Sequence, residues 1–292
     1  MRPERLGSRR VVASVSGGKD SAALSLHLTE MGIEHDRVFM DTGWEHQVTY
    51  EYLRGELTRA LGPIVEIRAE RQMADLIRHK GMFPSRQRRF CTQELKVFPM
   101  QRYLRAREDV SDLVNAVGIR REESQARARM TEWEWSDGFD CEVWRPLLSW
   151  TLDDVVAIHK RHGLRPNPLY LLGASRVGCW PCIYARKSEI RLVAEMDPGR
   201  IDEMRALEAE ISAAAKLRHD RDRTGEPFSA PSWFQARIAE RGTWPCWPID
   251  KVVEWSRTAH GGRQFELFTA PPSDAGCLRW GLCETLDPEA SQ

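Results

Sequence analysis

The sequence lacks the features of a membrane protein and of a repeat protein. No apolar run approaches the length of a membrane span, and the first ten residues are charged, without an apolar segment. No internal repeat and no low-complexity tract is present. These absences predict a soluble, cytoplasmic protein that has no membrane partner.

A net charge is also absent, because 43 basic residues balance 43 acidic ones. The chain therefore has no global positive field to support a nucleic-acid partner, although local basic patches stay open. Seven cysteines, an odd number without a signal peptide, favour metal or redox chemistry over a disulfide framework. The length of 292 residues suffices for a full α/β core and one smaller region.

The most informative stretch is an apolar run, residues 11–15, followed by Ser16-Gly17-Gly18-Lys19-Asp20-Ser21. The run is typical of a buried strand, and the residues behind the glycines have helical periodicity. A strand, turn and helix in this order aim backbone N–H groups and the positive end of the helix dipole at one point. Ser16 and Ser21 add hydroxyls and Lys19 adds a charge, so the pattern predicts a phosphate-binding turn rather than an ordinary βα turn.

The spacing of this turn is neither that of a Walker A loop nor G-x-G-x-x-G. It resembles the pyrophosphate loop of the ATP pyrophosphatases and the phosphoadenosine phosphosulfate (PAPS) reductase family, which bind an adenine nucleotide in a doubly wound α/β domain. The resemblance implies that residues 16–21 hold the pyrophosphate of ATP with Mg²⁺, and that Lys19 and Asp20 are catalytic. Family members that consume PAPS or its relative APS generally have a degraded loop, so the intact loop favours ATP.

Strands and helices alternate along the first half of the chain, which predicts a parallel sheet with right-handed crossovers. Asp41, Thr42 and Gly43 follow the second strand, at the sheet edge where ligands bind. The resemblance implies that these residues meet the adenosine. A polar strand end that only caps the next helix is the alternative.

The segment after the fourth strand is similar to the family element G-x-R-x-x-E-S-x-x-R. The resemblance implies nucleotide contacts from Gly118, Arg120, Glu123, Ser124 and Arg127, and a catalytic role for Arg120. The planar guanidinium groups of Arg120 and Arg127 suit phosphate or sulfate oxygens. The alternative is that both arginines only pair with Glu122 or Glu123.

Cysteines indicate a second site. Cys91 lies among four basic side chains, which favour a lowered thiol pKa, and it matches the first cysteine of a family Cys-Cys pair in which Thr92 replaces the second. A C-x-x-C turn, Cys179 to Cys182, follows 88 residues later and can hold two thiolates on one metal or cluster edge. The resemblance implies a [4Fe-4S] cluster on Cys91, Cys179 and Cys182. A redox dithiol, a zinc pair and two buried thiols are the alternatives.

The tail Gly281-Leu282-Cys283-Glu284 resembles that of the sulfonucleotide reductases, with cysteine where that family has histidine. We therefore expect Cys283 to be the fourth cluster ligand, with Cys277 as substitute. Residues 1–185 are predicted to form the nucleotide-binding domain. Residues 186–292 are predicted to form a helical region, rich in Trp and Cys, that closes over the cysteine site. Within it Ile201, Met204, Leu207 and Ile211 mark one long amphipathic helix, and a charged turn at 218–227 follows that helix. Its aromatic residues either pack or stack bases.

Within this family, the sequence resembles the DNA phosphorothioation sulfurtransferases most. They predict an enzyme that cleaves ATP to AMP and pyrophosphate in an Fe-S-dependent sulfur transfer. A cysteine desulfurase or a thioredoxin-like protein is the expected sulfur donor, and a homo-oligomer is compatible with the sequence. The alternatives are a PAPS or APS reductase, in which Cys277 or Cys283 attacks sulfur, and a nucleotide-binding module with structural zinc. His159 is predicted to lie on a partly exposed helix without a ligand.

Overall fold

The computed structural model describes residues 3–107, 112–222, 228–235, 246–258 and 280. Within them one six-stranded sheet has the order β3-β2-β1-β4-β6-β5. The strands are β1 (Arg10–Ser14), β2 (His35–Asp41), β3 (Ile64–Arg68), β4 (Leu113–Ala116), β5 (Trp133–Ser136) and β6 (Cys141–Trp144). All neighbours pair in parallel except β5 and β6. The prediction of a doubly wound α/β sheet is confirmed.

The position of each strand follows from its residues. Every side chain of β4 is buried, and so are Val11, Val12 and Ala13 of β1, which suits strands covered on both faces. The sequence analysis missed β5, an edge strand that makes the sheet mixed. Only residues 137–140 separate β5 from β6, too few for a parallel crossover, so the two strands form an antiparallel pair.

The helices cover both faces of the sheet. They are α1 (Lys19–Glu30), α2 (Gln47–Tyr52), α3 (Thr58–Leu61), α4 (Met73–Lys80), α5 (Phe90–Thr92), α6 (Phe98–Arg105), α7 (Gln125–Ala128), α8 (Leu152–Arg161), α9 (Pro168–Leu171), α10 (Lys187–Met196), α11 (Pro198–Asp222) and α12 (Ile249–Ser256). Single π-helical segments, Leu53–Leu57 and Gln93–Val97, join α2 to α3 and α5 to α6. Helix α1 packs with α8 on one face, whereas Met100 and Leu104 of α6 pack on the other. Among the described residues no helix is both long and apolar enough to cross a membrane.

Helices α10 to α12 share a second apolar core with α4 and three tryptophans, Trp44, Trp180 and Trp233. The predicted apolar positions of the long helix, from Ile201 to Ile211, are buried as expected. The helix continues to Asp222, so the predicted charged turn at 218–227 is wrong for its first five residues. The carboxylate of Glu208 accepts hydrogen bonds from the backbone N–H of Trp233 at 2.9 Å and of Ile249 at 2.8 Å, which ties the aromatic segments to α11.

Candidate functional site

The glycine loop leaves β1 at the point where the sheet reverses its winding, since β2 and β4 flank β1 on opposite sides. Ligands bind open α/β sheets at such points. Gly17 has a φ of +74°, which favours glycine, and Gly18 precedes α1 without a side-chain cap. A Cβ on Gly118 would lie 2.7 Å from the backbone oxygen of Asp20, so the end of β4 approaches α1 as closely as only glycine permits.

Hydrogen bonds within the loop fix its shape. The hydroxyl of Ser21 accepts from the backbone N–H of Ser16 at 3.1 Å and donates to the carbonyl of Gly18 at 2.9 Å. Ser21 is 8% exposed, so its side chain is a buried brace of the loop. The hydroxyl of Ser16 lies 3.3 Å from that of Ser21 at the partly buried end of the loop.

A segment that the sequence analysis did not assign to the nucleotide site covers the loop. The buried amide of Asn167 donates to the carbonyl of Gly17 and to the hydroxyl of Thr49, both at 3.3 Å. The hydroxyl of Tyr170 accepts from the backbone N–H of Lys19 at 3.2 Å. The first free N–H of α1 therefore has a protein partner, which an incoming anion must replace.

Lys19, Asp20 and Arg120 form one charged group. The ammonium of Lys19 lies 3.6 Å from Asp20 and 4.7 Å from the centre of the Tyr170 ring. Arg120, only 3% exposed, donates from Nε to Asp20 at 2.5 Å and also pairs with Glu122. The structure brings the three predicted catalytic residues together, and it directs the guanidinium of Arg120 at carboxylates of the protein.

The remaining residues of the arginine element bond mainly to one another. Glu123 accepts from the backbone N–H of Arg120 at 2.8 Å and pairs with Arg127. The hydroxyl of Ser124 accepts from the backbone N–H of Arg127 at 3.2 Å and begins α7. These contacts match the pairing that the sequence analysis left as the alternative for Arg127.

His159 lies beneath the loop and is 1% exposed, on the buried face of α8, a helix that is partly exposed as expected. Its Nε2 lies 2.9 Å from the carbonyl of Lys19, and its Nδ1 lies 3.3 Å from that of Leu164. Burial lowers the pKa of His159, which favours the neutral ring, and a neutral ring donates only one of these bonds. Trp280 packs edge-on against it at 5.1 Å, which places this residue of the tail beside the nucleotide loop.

The end of β2 carries the predicted adenosine contacts. Asp41 is 1% exposed and accepts from the Tyr50 hydroxyl at 2.6 Å, from Arg68 at 2.6 Å and from the backbone N–H of Gly43 at 2.9 Å. Its carboxylate is thus used within the protein. Gly43 has a φ of +67°, and a Cβ there would lie 2.5 Å from the side chain of Gln72. This turn positions Thr42 beside the second site.

The C-x-x-C turn docks on the loop after β2. The backbone N–H of Trp180 donates to the carbonyl of Trp44 at 2.7 Å, and Cys179 forms a β-bridge with Glu45. The hydroxyl of Thr42 donates to the Glu45 carboxylate at 2.8 Å and lies 3.7 Å from the sulfur of Cys179. The nucleotide loop after β1 and the cysteine turn are therefore held at the ends of adjacent strands.

Cys91, Cys179 and Cys182 come together around Lys96. Burial raises the pKa of Cys91 and that of Cys179, the latter to about 11, and the effect of Lys96 is smaller. The expected lowering of the Cys91 pKa by its basic neighbours is therefore wrong. The nearby thiols, Cys179 first, in turn raise the pKa of Lys96. Cys283 and its substitute Cys277 lie outside the described residues.

Within the described ranges, no three His, Cys, Asp or Glu side chains converge on a point where one metal ion would bind. A [4Fe-4S] cluster makes a different demand, because each of its cysteines binds a separate iron atom. Three half-buried thiols from two segments, Cys91, Cys179 and Cys182, have the side-chain chemistry that such a cluster needs at three of its irons.

Comparison with known proteins shows a family domain and several relatives. The family model of the phosphoadenosine phosphosulfate reductase domain matches residues 10–185. An uncharacterized 37.8 kDa protein of Escherichia phage 186 is 33% identical, with 94% of this chain and 96% of the phage protein covered. An adenosine 5'-phosphosulfate reductase of Chelativorans sp. is 30% identical, with 59% of this chain and 68% of that reductase covered. A solved phosphoadenylyl-sulfate reductase of Candida auris aligns with a TM-score of 0.47 and 19% identity, covering 58% of this chain and 81% of that one.

Proposed function

Because the chain belongs to the phosphoadenosine phosphosulfate reductase family, we propose that it binds ATP and cleaves it to AMP and pyrophosphate in a sulfur transfer. The observation that carries this proposal is the intact Ser16 to Ser21 loop at the switch point of the sheet. A loop of this kind serves a pyrophosphate, which ATP has beyond its α-phosphate and a sulfated adenosine does not. The proposed nucleotide-binding domain spans residues 1–185.

The residues of the loop have separate tasks in this proposal. The backbone N–H groups before and within the first turn of α1 bind the pyrophosphate of the Mg²⁺ complex of ATP, and Lys19 neutralises charge on the leaving group. Arg120 donates a hydrogen bond to Asp20, so its guanidinium is not free to contact a phosphate directly. In this proposal Arg120 acts by orienting Asp20. The Tyr170 hydroxyl gives up the Lys19 N–H when phosphate arrives.

The cysteine site would hold a [4Fe-4S] cluster on Cys91, Cys179 and Cys182, with Cys283 as the proposed fourth ligand and Cys277 as its substitute. Such a cluster, when bound, supplies the site with redox and sulfur-binding chemistry. In the overall reaction an acceptor oxygen is adenylated as pyrophosphate leaves, and that oxygen then departs with AMP as sulfur replaces it. The terminal sulfur of a donor protein's persulfide, of the cysteine desulfurase or thioredoxin-like class, forms the new bond to the acceptor. A second thiol of that donor then breaks the S–S bond, so the donor supplies the two electrons and ends as a disulfide.

A sulfonucleotide reductase is the second candidate, because the Chelativorans relative carries that name. The two functions differ in their products. Protein purified without oxygen is incubated with ATP, APS or PAPS in turn, and AMP, pyrophosphate and sulfite are measured. We expect Lys19-dependent binding of ATP and pyrophosphate release, both lost in Lys19→Ala and kept in Lys160→Ala, an exposed lysine of α8.

Release of sulfite from APS or PAPS, without cleavage of ATP, would show that the protein is a sulfonucleotide reductase and would contradict this proposal. A protein that binds none of the three nucleotides would contradict both. The colour of the protein separates the metals in the same preparation, since an iron–sulfur cluster is brown and zinc is colourless.

A further inference from the structure

Tyr170 lies over the start of α1, on the segment of the chain that leads to the cysteine turn. Asn167 caps α9 by accepting from the backbone N–H of Leu169 at 3.0 Å, and Leu169 is fully buried in the second apolar core. Tyr170 itself is only 6% exposed. The packing of α9 therefore fixes the position of the Tyr170 side chain.

The groups around the Tyr170 hydroxyl are of the kind that binds a phosphate. Its oxygen accepts from the backbone N–H of Lys19 at 3.2 Å, and the Lys19 ammonium lies 4.7 Å from the centre of its ring. A Cβ on Gly18 would lie 3.3 Å from the hydroxyl oxygen of Tyr170 and 3.4 Å from that of Ser16. The two hydroxyls therefore lie on one side of the loop, beside the N–H at which α1 begins and the positive end of its dipole.

The hydroxyl hydrogen of Tyr170 is not used. In the ranges that the structure describes, the hydroxyl accepts from Lys19 and donates to no protein group. Burial raises the pKa of Tyr170 by more than the neighbouring Lys19 lowers it, so the hydroxyl keeps this hydrogen at neutral pH. A buried donor without an acceptor is costly, and a phosphate oxygen over the loop is an acceptor of suitable charge.

We propose that Tyr170 is a phosphate-binding residue of the nucleotide site. In the free protein its hydroxyl oxygen takes the place of a phosphate oxygen at the Lys19 N–H. When a phosphate arrives, it accepts that N–H, and the hydroxyl turns to donate its own hydrogen to the same phosphate. Tyr170 thus changes from acceptor to donor. This inference adds a binding residue to the proposed ATP site and so rests on the proposed function, but its test measures binding alone.

The test compares the parent with Tyr170→Phe, which removes the hydroxyl and keeps the ring beside Lys19. Calorimetric titration measures the affinity for pyrophosphate and for ATP, each with Mg²⁺. We expect both affinities to fall about tenfold or more in Tyr170→Phe, the effect of losing one hydrogen bond to a charged group. The matched control is Tyr103→Phe on α6, whose half-buried hydroxyl also accepts from a basic side chain, that of Arg107. It should bind both compounds as the parent does.

The direction of the change separates the possible roles of the hydroxyl. An interaction made only in the free protein opposes binding, so its loss would tighten binding, and an interaction that binding leaves intact would not change the affinity. Only a hydroxyl that bonds more strongly in the complex gives the expected loss. Tighter or unchanged binding in Tyr170→Phe, or a parent that binds neither compound, would overturn the proposal.

A second measurement keeps the tyrosine, in case Tyr170→Phe does not fold. Fluorotyrosine placed at position 170 should give a fluorine NMR signal that moves when pyrophosphate binds, and an unmoved signal at saturating pyrophosphate contradicts a phosphate contact. The proposed function fails in a different way. Binding of pyrophosphate and ATP that depends on the Tyr170 hydroxyl, without cleavage of ATP, would support this inference and contradict the proposed ATP cleavage.

Discussion

Replacing Asn167 with alanine should loosen the nucleotide loop. The side chain makes three hydrogen bonds: its amide donates to the Gly17 carbonyl and the Thr49 hydroxyl, and its oxygen accepts from the backbone N–H of Leu169 at the start of α9. Asn167 is 1% exposed and Thr49 is fully buried, so water does not readily replace the lost partners. Asn167→Ala therefore removes a helix cap and leaves buried polar groups unpaired.

The magnitude follows from those contacts. Loss of the cap costs about 1 kcal/mol, and each of the two other hydrogen bonds contributes about 1 kcal/mol, so the free energy of unfolding should fall by about 3 kcal/mol. Asn167→Asp keeps the capping oxygen and loses the two donated bonds, so it should cost about 2 kcal/mol. Its carboxylate also adds negative charge beside the loop, and nucleotide affinity should fall further than in Asn167→Ala.

Urea unfolding followed by tryptophan fluorescence measures the first effect, and calorimetric titration with ATP measures the second. Gln47→Ala, which shortens an exposed amide side chain at the start of α2, is the control and should change stability by less than about 0.5 kcal/mol. A stability of Asn167→Ala within that range of the parent would refute the assignment of Asn167 as the brace of the loop. Equal nucleotide affinity in Asn167→Ala and Asn167→Asp would refute its electrostatic part.

Three further predictions test other parts of the site. Gly118→Ala should lower the free energy of unfolding by about 1–3 kcal/mol, because its Cβ meets the α1 backbone. Gly55→Ala, whose Cβ has open space around it, should raise the free energy of unfolding by up to about 1 kcal/mol, and urea unfolding compares the two variants. Burial lowers the pKa of His159 below its unfolded value of about 6.5, so unfolding takes up a proton and stability falls as pH drops from about 7 to 5. His159→Gln should show a shallower pH dependence, and an unchanged slope would contradict the buried neutral ring. Cys179→Ser, purified without oxygen, should lose iron while Cys141→Ala, in the core of β6, retains it; full iron in Cys179→Ser would exclude the cluster.

Local patterns in the sequence predicted the parts of the structure that local physics determines. The apolar run before Gly17 forms the buried central strand β1, and the glycine turn then starts α1, since both depend on neighbouring residues. Cys91 and Cys179 both lie near Lys96 and Cys182, although 88 residues separate them in the sequence. That placement comes from the fold and could not be read from periodicity.

Long-range packing determined what the sequence did not predict. Tyr170 and Asn167 act on a loop about 150 positions earlier in the chain, and no local pattern marks such contacts. The sequence predicts Ser21 as a hydroxyl of a phosphate-binding turn, and its hydrogen bond back to the carbonyl of Gly18 is visible only in the folded turn. The basic residues near Cys91 predict a lowered thiol pKa only while the thiol is exposed, and burial outweighs them. A local Pro-Asn-Pro-Leu-Tyr sequence was the one available signal for the segment over the loop.

The cysteine turn is attached to the segment after β2 through its backbone. Its links to the Trp44–Glu45 segment are main-chain ones, a hydrogen bond from Trp180 and a β-bridge at Cys179, and they do not require a particular side chain. Either cysteine is therefore exchangeable, in natural descent or by design, without detaching the turn from the end of β2. One backbone frame thus accommodates different sulfur or metal chemistries beside an unchanged nucleotide loop.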